Sequence, residues 1–122
     1  MVNATIAKLI YKEWQKTCDG SSGLSARAIF LQWWIANSPQ EDDGFFVSKG
    51  FPTDCGGWDP LTISDYAIVE LVNNGHVSIV DKGQGAQFLR ITSEGQIWMS
   101  KHAALIDQLT DLAKRIFAKH SS

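Results

Sequence analysis

The chain has 122 residues, 44% of them hydrophobic and 20% charged, and its formal net charge at pH 7 is −2. This length and composition fit one folded domain, and no apolar run reaches the roughly 20 residues of a membrane span. The small negative charge excludes a general electrostatic attraction of the chain to nucleic acid or to anionic membranes.

Two helices are predicted in the N-terminal part of the chain. The first covers about 3–18 and ends at the glycine- and serine-rich run 19–23. The second covers about 25–37 and is stopped by a following Ser-Pro pair. Neighbouring rings point in different directions on a helix, so one of Trp33 and Trp34 is expected to be exposed, or covered by the next segment or by another subunit.

Residues 38–58 are interpreted as an insert of unusual composition. The segment lacks clear periodicity, contains several glycines, and holds the aromatic residues Phe45, Phe46, Phe51 and Trp58. A structureless connection of this length is uncommon inside a compact domain. We therefore expect the insert to pack against the domain, with a short strand at about 45–48.

A third helix is predicted to begin at Asp59. An aspartate accepts hydrogen bonds from the free amides of a first helical turn, and Pro60 at the next position loses no needed donor. The buried stripe of this helix would consist of Leu61, Ala67, Ile68, Leu71 and Val72. The Asn-Asn-Gly run at 73–75 tolerates left-handed backbone and ends the helix.

A hairpin of two strands follows the third helix. Apolar and polar residues alternate over 77–79 and again over 89–91, which indicates two half-buried strands. The glycine-rich run 82–85 lies between them and forms the tip of the hairpin. Thr92 and Ser93 then offer a helix cap, with Gln96 three residues after Ser93 as a capping box.

A long C-terminal helix is predicted over about 96–119. It carries an apolar seam spaced like a coiled coil, formed by Leu105, Leu109, Leu112 and Ile116. This seam suits a homodimer, although it could instead pack on Ile6, Leu9 and Ile10 of the first helix. The homodimer is favoured because Ile106, Ala113 and Phe117 add a second apolar flank that one small domain cannot easily bury.

No set of residues predicts catalysis or metal binding. The carboxylates at 41–43 are sequence neighbours in a polar stretch, and the three histidines lack the spacing of metal ligands. His76, between a helix and a strand, is interpreted as a partly buried structural residue. Cys18 and Cys55 do not form a CxxC motif, which predicts free thiols in a reducing cytoplasm. We therefore expect no enzyme activity, no cofactor and no metal.

The order of helix, tight turn, hairpin and new helix resembles a known family. The run LVNNGHV at 71–77 is similar to the end of a recognition helix entering the wing of winged helix-turn-helix regulators, loosely the MarR-like and PadR-like kinds. The run LRITSEG at 89–95 resembles the return strand of the wing and the following helix start. The resemblance implies a mainly α, α+β fold: one winged helix-turn-helix domain spanning 1–122, with a two-stranded wing and a long C-terminal helix.

The resemblance also implies a cytoplasmic transcriptional regulator that binds double-stranded DNA as a homodimer. The third helix would present Thr62, Ser64, Asp65, Tyr66 and Val69 to the major groove. The wing would bring Lys82, Gln84, Gln87 and Arg90 to phosphates or the minor groove. On the same helix, Asp65 and Glu70 would approach phosphates and repel them.

A winged-helix module that binds protein partners without binding DNA is the alternative. Such domains use apolar surface in place of cations. The adjacent aromatic pairs Trp33-Trp34 and Phe45-Phe46 favour this interpretation, because adjacent rings cannot all face one narrow core.

Overall fold

A computed structural model describes residues 4–18, 20–37, 44–46, 51–52, 58–59, 66–83 and 87–120. The helices in these ranges are α1 (Ala4–Thr17), α2 (Ala26–Asn37), α3 (Tyr66–Asn73), α4 (Ser93–Lys101) and α5 (Ala103–His120). The strands are β1 (Phe45–Phe46), β2 (Phe51–Pro52), β3 (Trp58–Asp59), β4 (Val77–Asp81) and β5 (Gln87–Ile91). The predicted mainly α, α+β composition is confirmed.

The predicted hairpin is present, and with β1 it forms a three-stranded antiparallel sheet in the order β1-β5-β4, with β5 in the centre. Val77 lies opposite Ile91, so the alternating residues of the two strands are in register. β1 pairs with the outer edge of β5, which confirms the short strand expected in the insert. Gly44 permits this pairing: its φ is +118°, and a β-carbon there would meet the carbonyl oxygen of Leu89.

Helix α2 is the centre of the core. Every residue from 28 to 35 is buried, so this helix is covered on all sides rather than on one stripe. Trp33 and Trp34 are each only 6% exposed, and both pack on the ring of Phe30. The indole nitrogen of Trp33 also donates a hydrogen bond to the hydroxyl of Thr110 in α5, at 3.0 Å. Neither tryptophan is therefore exposed.

Helices α1 and α5 pack against each other. Ile10 and Trp14 of α1 are fully buried, and so is Leu109 of α5. Leu105, Leu112 and Ile116, the other residues of the seam predicted for a homodimer, are half-buried and pack against the same core. The seam thus packs within one chain, against α1, which is the alternative to the homodimer. Leu109 is fully buried there and cannot contact a second subunit.

The prediction of one long terminal helix was wrong, because the chain forms two helices that meet at His102. The backbone of His102 leaves the helical region (φ −111°, ψ 37°) and caps α4. Its ring stacks on Trp98, and its Nδ1 lies 3.0 Å from the same Trp98 carbonyl oxygen that accepts its backbone N–H. The two helices can therefore follow different directions, with α4 near the sheet and α5 against α1.

Two predicted helix starts can be compared with the structure. Asp59 lies in β3 opposite Phe51, and the described part of the third helix begins at Tyr66; residues 60–65, where the predicted first turn falls, lie outside the described ranges. Of the two caps predicted for α4, Thr92 is confirmed, because its hydroxyl accepts the N–H of Gly95. The capping box of Ser93 and Gln96 was wrong, because Ser93 is already the first residue of the helix.

Candidate nucleic-acid interface

Helix α3 has one buried face and one exposed face. Ala67, Ile68 and Leu71 are fully buried because their spacing of three and four residues keeps them on one side of the helix. On the other side Tyr66 is 60% exposed and Val69 44%, and Asn73 is also exposed. The exposed face of α3 therefore carries an aromatic, an aliphatic and an amide side chain.

Glu70 does not lie on this exposed face. Its carboxylate accepts hydrogen bonds from the backbone N–H of Ser25, at 2.7 Å, and from the Ser25 hydroxyl, at 2.8 Å. Ser25 caps α2, since its hydroxyl accepts the N–H of Ala28 at 3.1 Å. The expectation that Glu70 would approach DNA phosphates was therefore wrong, because the N-terminus of α2 holds its negative charge.

Arg27 is a candidate interface residue that the sequence did not indicate. Its guanidinium carbon lies 5.6 Å from the ring centroid of Tyr66 and 5.9 Å from that of Tyr11. Both distances are within the range of a cation–π interaction. Three helices bring these side chains together, and no local sequence pattern predicts that arrangement. Arg27 adds positive charge beside the exposed face of α3.

The turn between α3 and β4 is held by a series of buried hydrogen bonds. His76 is 7% exposed, and its Nδ1 lies 3.2 Å from the side-chain oxygen of Gln32, itself fully buried in α2. The Gln32 amide nitrogen donates in turn to the carbonyl oxygen of Gly95 in α4, at 3.1 Å. The structural role predicted for His76 agrees with this burial. These hydrogen bonds link the turn between α3 and the hairpin to α2 and α4.

Burial disfavours a charge on His76. Desolvation lowers the pKa of His76 below its ordinary value of 6.5, and the nearby His102 lowers it further. The carboxylate of Glu94 acts in the opposite direction but does not outweigh burial. A neutral ring with the proton on Nδ1 fits the contact with Gln32, because that nitrogen can then donate to the amide oxygen.

The hairpin carries two exposed cations, Lys82 beyond the end of β4 and Arg90 in β5. It also carries a carboxylate: Asp81 accepts the N–H of Gly83 at 2.8 Å and the side-chain amide of Gln87 at 3.4 Å. Gln87 is half-buried, and its side-chain amide binds the residue opposite it on β4.

Four of the predicted DNA-contacting residues, Thr62, Ser64, Asp65 and Gln84, lie outside the described residues. Among the described residues, the structure places Tyr66 on the exposed face of α3 and Lys82, Gln87 and Arg90 on the hairpin that follows it.

Two further sequence expectations bear on chemistry. Cys18 is a free thiol, whereas Cys55 lies outside the described ranges. In the part of the chain that the structure describes, no three metal-binding side chains come together, and no helix is long and apolar enough to cross a membrane.

The sequence matches no protein-family model and no curated protein, and the fold matches no solved structure. The case for a function therefore depends on the geometry of the described residues.

Proposed function

We propose that the chain is a winged-helix transcriptional regulator that binds double-stranded DNA with α3 and the β4–β5 hairpin. The observation that supports this best is the exposed face of α3, which within the described residues 66–73 carries no carboxylate, next to a hairpin with the exposed cations Lys82 and Arg90. The order α3, turn, β4, β5, α4, with β1 on the far edge of β5, also agrees with a winged helix.

The distribution of charge along the chain supports the same proposal. Segment 38–65 holds six of the 13 acidic residues but only one lysine. The rest of the chain holds ten Lys and Arg residues against seven Asp and Glu residues. The overall charge of −2 is therefore the sum of a negative segment 38–65 and a positive remainder, which includes the helices and the hairpin. Phosphate binding requires a local positive surface of this kind.

A protein-interaction module without DNA binding is the second candidate. The observation that favours it is the exposure of Tyr66 and Val69 on α3, because large apolar side chains at a surface mark many protein interfaces. In this case α3 would contact an apolar surface of a partner protein, and the hairpin would lie beside that contact.

A fluorescence-anisotropy titration against labelled genomic duplex fragments separates these candidates. The logarithm of the DNA affinity should fall linearly with the logarithm of the salt concentration, because lysine and arginine release counterions from phosphates. Saturable binding near 50 mM salt that weakens strongly near 200 mM would support the regulator. Absence of binding at the lower concentration would favour the interaction module.

The proposal includes a homodimer, as in many regulators that the chain resembles. Since Leu109 is enclosed within the chain, we assign the contact with a second copy of the chain to the outer flank of α5. Phe117, which is 44% exposed, is the large apolar residue on that flank.

A further inference from the structure

A groove lies between α1 and α5, on the solvent side of their packing contact. Its floor is formed by three half-buried apolar residues, Leu9 of α1 and Leu112 and Ile116 of α5. Its rim is formed by Glu13, Arg115, Lys119 and His120. The groove has a volume of about 430 Å³ and opens to solvent along both helices.

The charge on the rim is predominantly positive. The Glu13 carboxylate lies 3.4 Å from the ammonium group of Lys16, so its charge is already balanced within α1. No carboxylate among the described residues forms an ion pair with Arg115 or Lys119. A partner in this groove would therefore meet an apolar floor beside two cations that are not held in an ion pair by any described carboxylate.

We propose that this groove binds an acidic amphipathic helix of a partner protein. A groove between two packed helices accepts the apolar face of a third helix. Arg115 and Lys119 are four residues apart, about 6 Å along α5, which matches carboxylates one turn apart on a docked helix. This proposal goes beyond DNA binding and does not depend on it.

A second copy of the chain is a poor occupant of the groove. A two-fold symmetric contact through the same face would bring Arg115 and Lys119 of both copies together, and like charges at an interface oppose association. The groove and the exposed flank around Phe117 are thus different surfaces of α5.

The test uses the full chain and a series of synthetic helical peptides, each with a leucine stripe and glutamate pairs four residues apart. Anisotropy measures the affinity, and amide shifts of the ¹⁵N-labelled chain locate the binding site. We expect saturable binding with shifts concentrated at Leu9, Leu112 and Ile116. The double variant Arg115→Glu, Lys119→Glu should bind these peptides about tenfold more weakly, because attraction becomes repulsion.

Matched variants separate a local charge effect from a general one. The pair Lys101→Glu, Lys114→Glu makes the same change in net charge outside the groove and should stay within about twofold of the unmodified chain. Peptides with lysine in place of glutamate should prefer the Arg115→Glu, Lys119→Glu variant. If that variant unfolds, Arg115→Gln with Lys119→Gln removes the cations without adding carboxylates and should still weaken binding.

Several results would overturn the proposal. These are the absence of saturable binding to every peptide in the series, amide shifts outside the groove, or equal weakening by both pairs of charge reversals. Binding of phosphatidylserine vesicles at the groove in place of the peptides would identify a membrane surface instead. A dimer mass in light scattering that the groove variant converts to a monomer would identify a second copy.

Discussion

Glu70 and Ser25, 45 positions apart, are joined by two hydrogen bonds of 2.7 and 2.8 Å. The carboxylate of α3 thereby completes the cap of α2, whose own serine hydroxyl accepts the N–H of Ala28. This contact ties the candidate DNA-contacting helix to the buried central helix. It also removes a negative charge from the surface that α3 would present to phosphates.

Replacement of either partner in this contact should destabilise the fold. We expect Ser25→Ala to lower the free energy of unfolding by about 1 kcal/mol, as for the loss of an N-cap. Glu70→Ala should cost about 2 kcal/mol, because hydrogen bonds to a charged group are stronger. Urea denaturation of the two single variants and the double variant measures the coupling directly.

The double variant should lose less than the sum of the single variants, by about 1 kcal/mol, if the two residues stabilise the fold through each other. Asp107→Ala, an exposed carboxylate on α5, is the control and should change stability little. Strict additivity of Ser25→Ala and Glu70→Ala would contradict the contact.

The stability of the fold should depend on the protonation of His76. Its pKa is lowered in the folded chain by burial, so below pH 6.5 the unfolded chain binds a proton that the folded chain does not. The stabilisation that the neutral His76 ring contributes is therefore fully present above the pKa of His76 in the unfolded chain. It is lost as the pH falls through the lower pKa of His76 in the folded chain. Urea denaturation across this range, from about pH 7.5 to pH 5, measures the loss.

A His76→Gln variant should show a smaller loss of stability over the same pH range, because its side chain cannot take up a proton. His120→Gln, at the exposed end of α5, is the matched control. A pH profile of His76→Gln identical in slope to that of the unmodified chain would show that another group is responsible.

The hairpin cations should contribute to DNA affinity independently of sequence. We expect Lys82→Ala and Arg90→Ala each to weaken binding to all duplexes alike and to reduce the salt slope by about 1, the value for one lost phosphate contact. Lys114→Ala on α5 removes the same charge elsewhere and should leave the slope unchanged. Full affinity in both hairpin variants would remove the hairpin from the DNA interface.

Gly95 should not tolerate a side chain. In the first turn of α4 a β-carbon would meet the carbonyl oxygen of His76 and lie 2.9 Å from a methyl group of Ile91. We expect Gly95→Ala to destabilise the fold by about 1–3 kcal/mol, in spite of the better helix propensity of alanine. Ser100→Ala, on an exposed position of the same helix, is the control, and thermal denaturation followed by circular dichroism compares the two.

The buried and exposed residues of α5 should behave differently. Leu109→Ala should lower the free energy of unfolding by about 2–5 kcal/mol without changing the oligomeric mass, because Leu109 belongs to the core of one chain. Phe117→Ser should leave stability nearly unchanged and should reduce the mass of any dimer in light scattering. If Leu109→Ala instead abolished a dimer and left the stability unchanged, the seam would be a subunit interface.

The elements that local patterns define well are those predicted correctly from the sequence. Apolar spacing and local stop signals placed α1 and α2, and alternation placed the β4–β5 hairpin, whereas the pairing of the insert's strand with β5 was not predicted. These patterns suffice because helix and strand periods differ, and glycine tolerates the left-handed backbone of turns. Each of these signals lies within a few neighbouring residues.

Only the tertiary structure decided which partners the side chains of those elements contact. Asp59 pairs with Phe51 across two strands that no local pattern predicts, and Glu70 is predicted as a surface charge but accepts hydrogen bonds from Ser25, the cap of α2. His102 divides the predicted terminal helix into α4 and α5, and its ring stacks on Trp98. In each case a partner outside the local pattern, or a ring contact that spacing does not reveal, competes with the local preference and prevails. The sequence by itself thus determined the fold class and the positions of α1, α2 and the β4–β5 hairpin, whereas packing decided that the Glu70 carboxylate binds Ser25 and leaves the exposed face of α3.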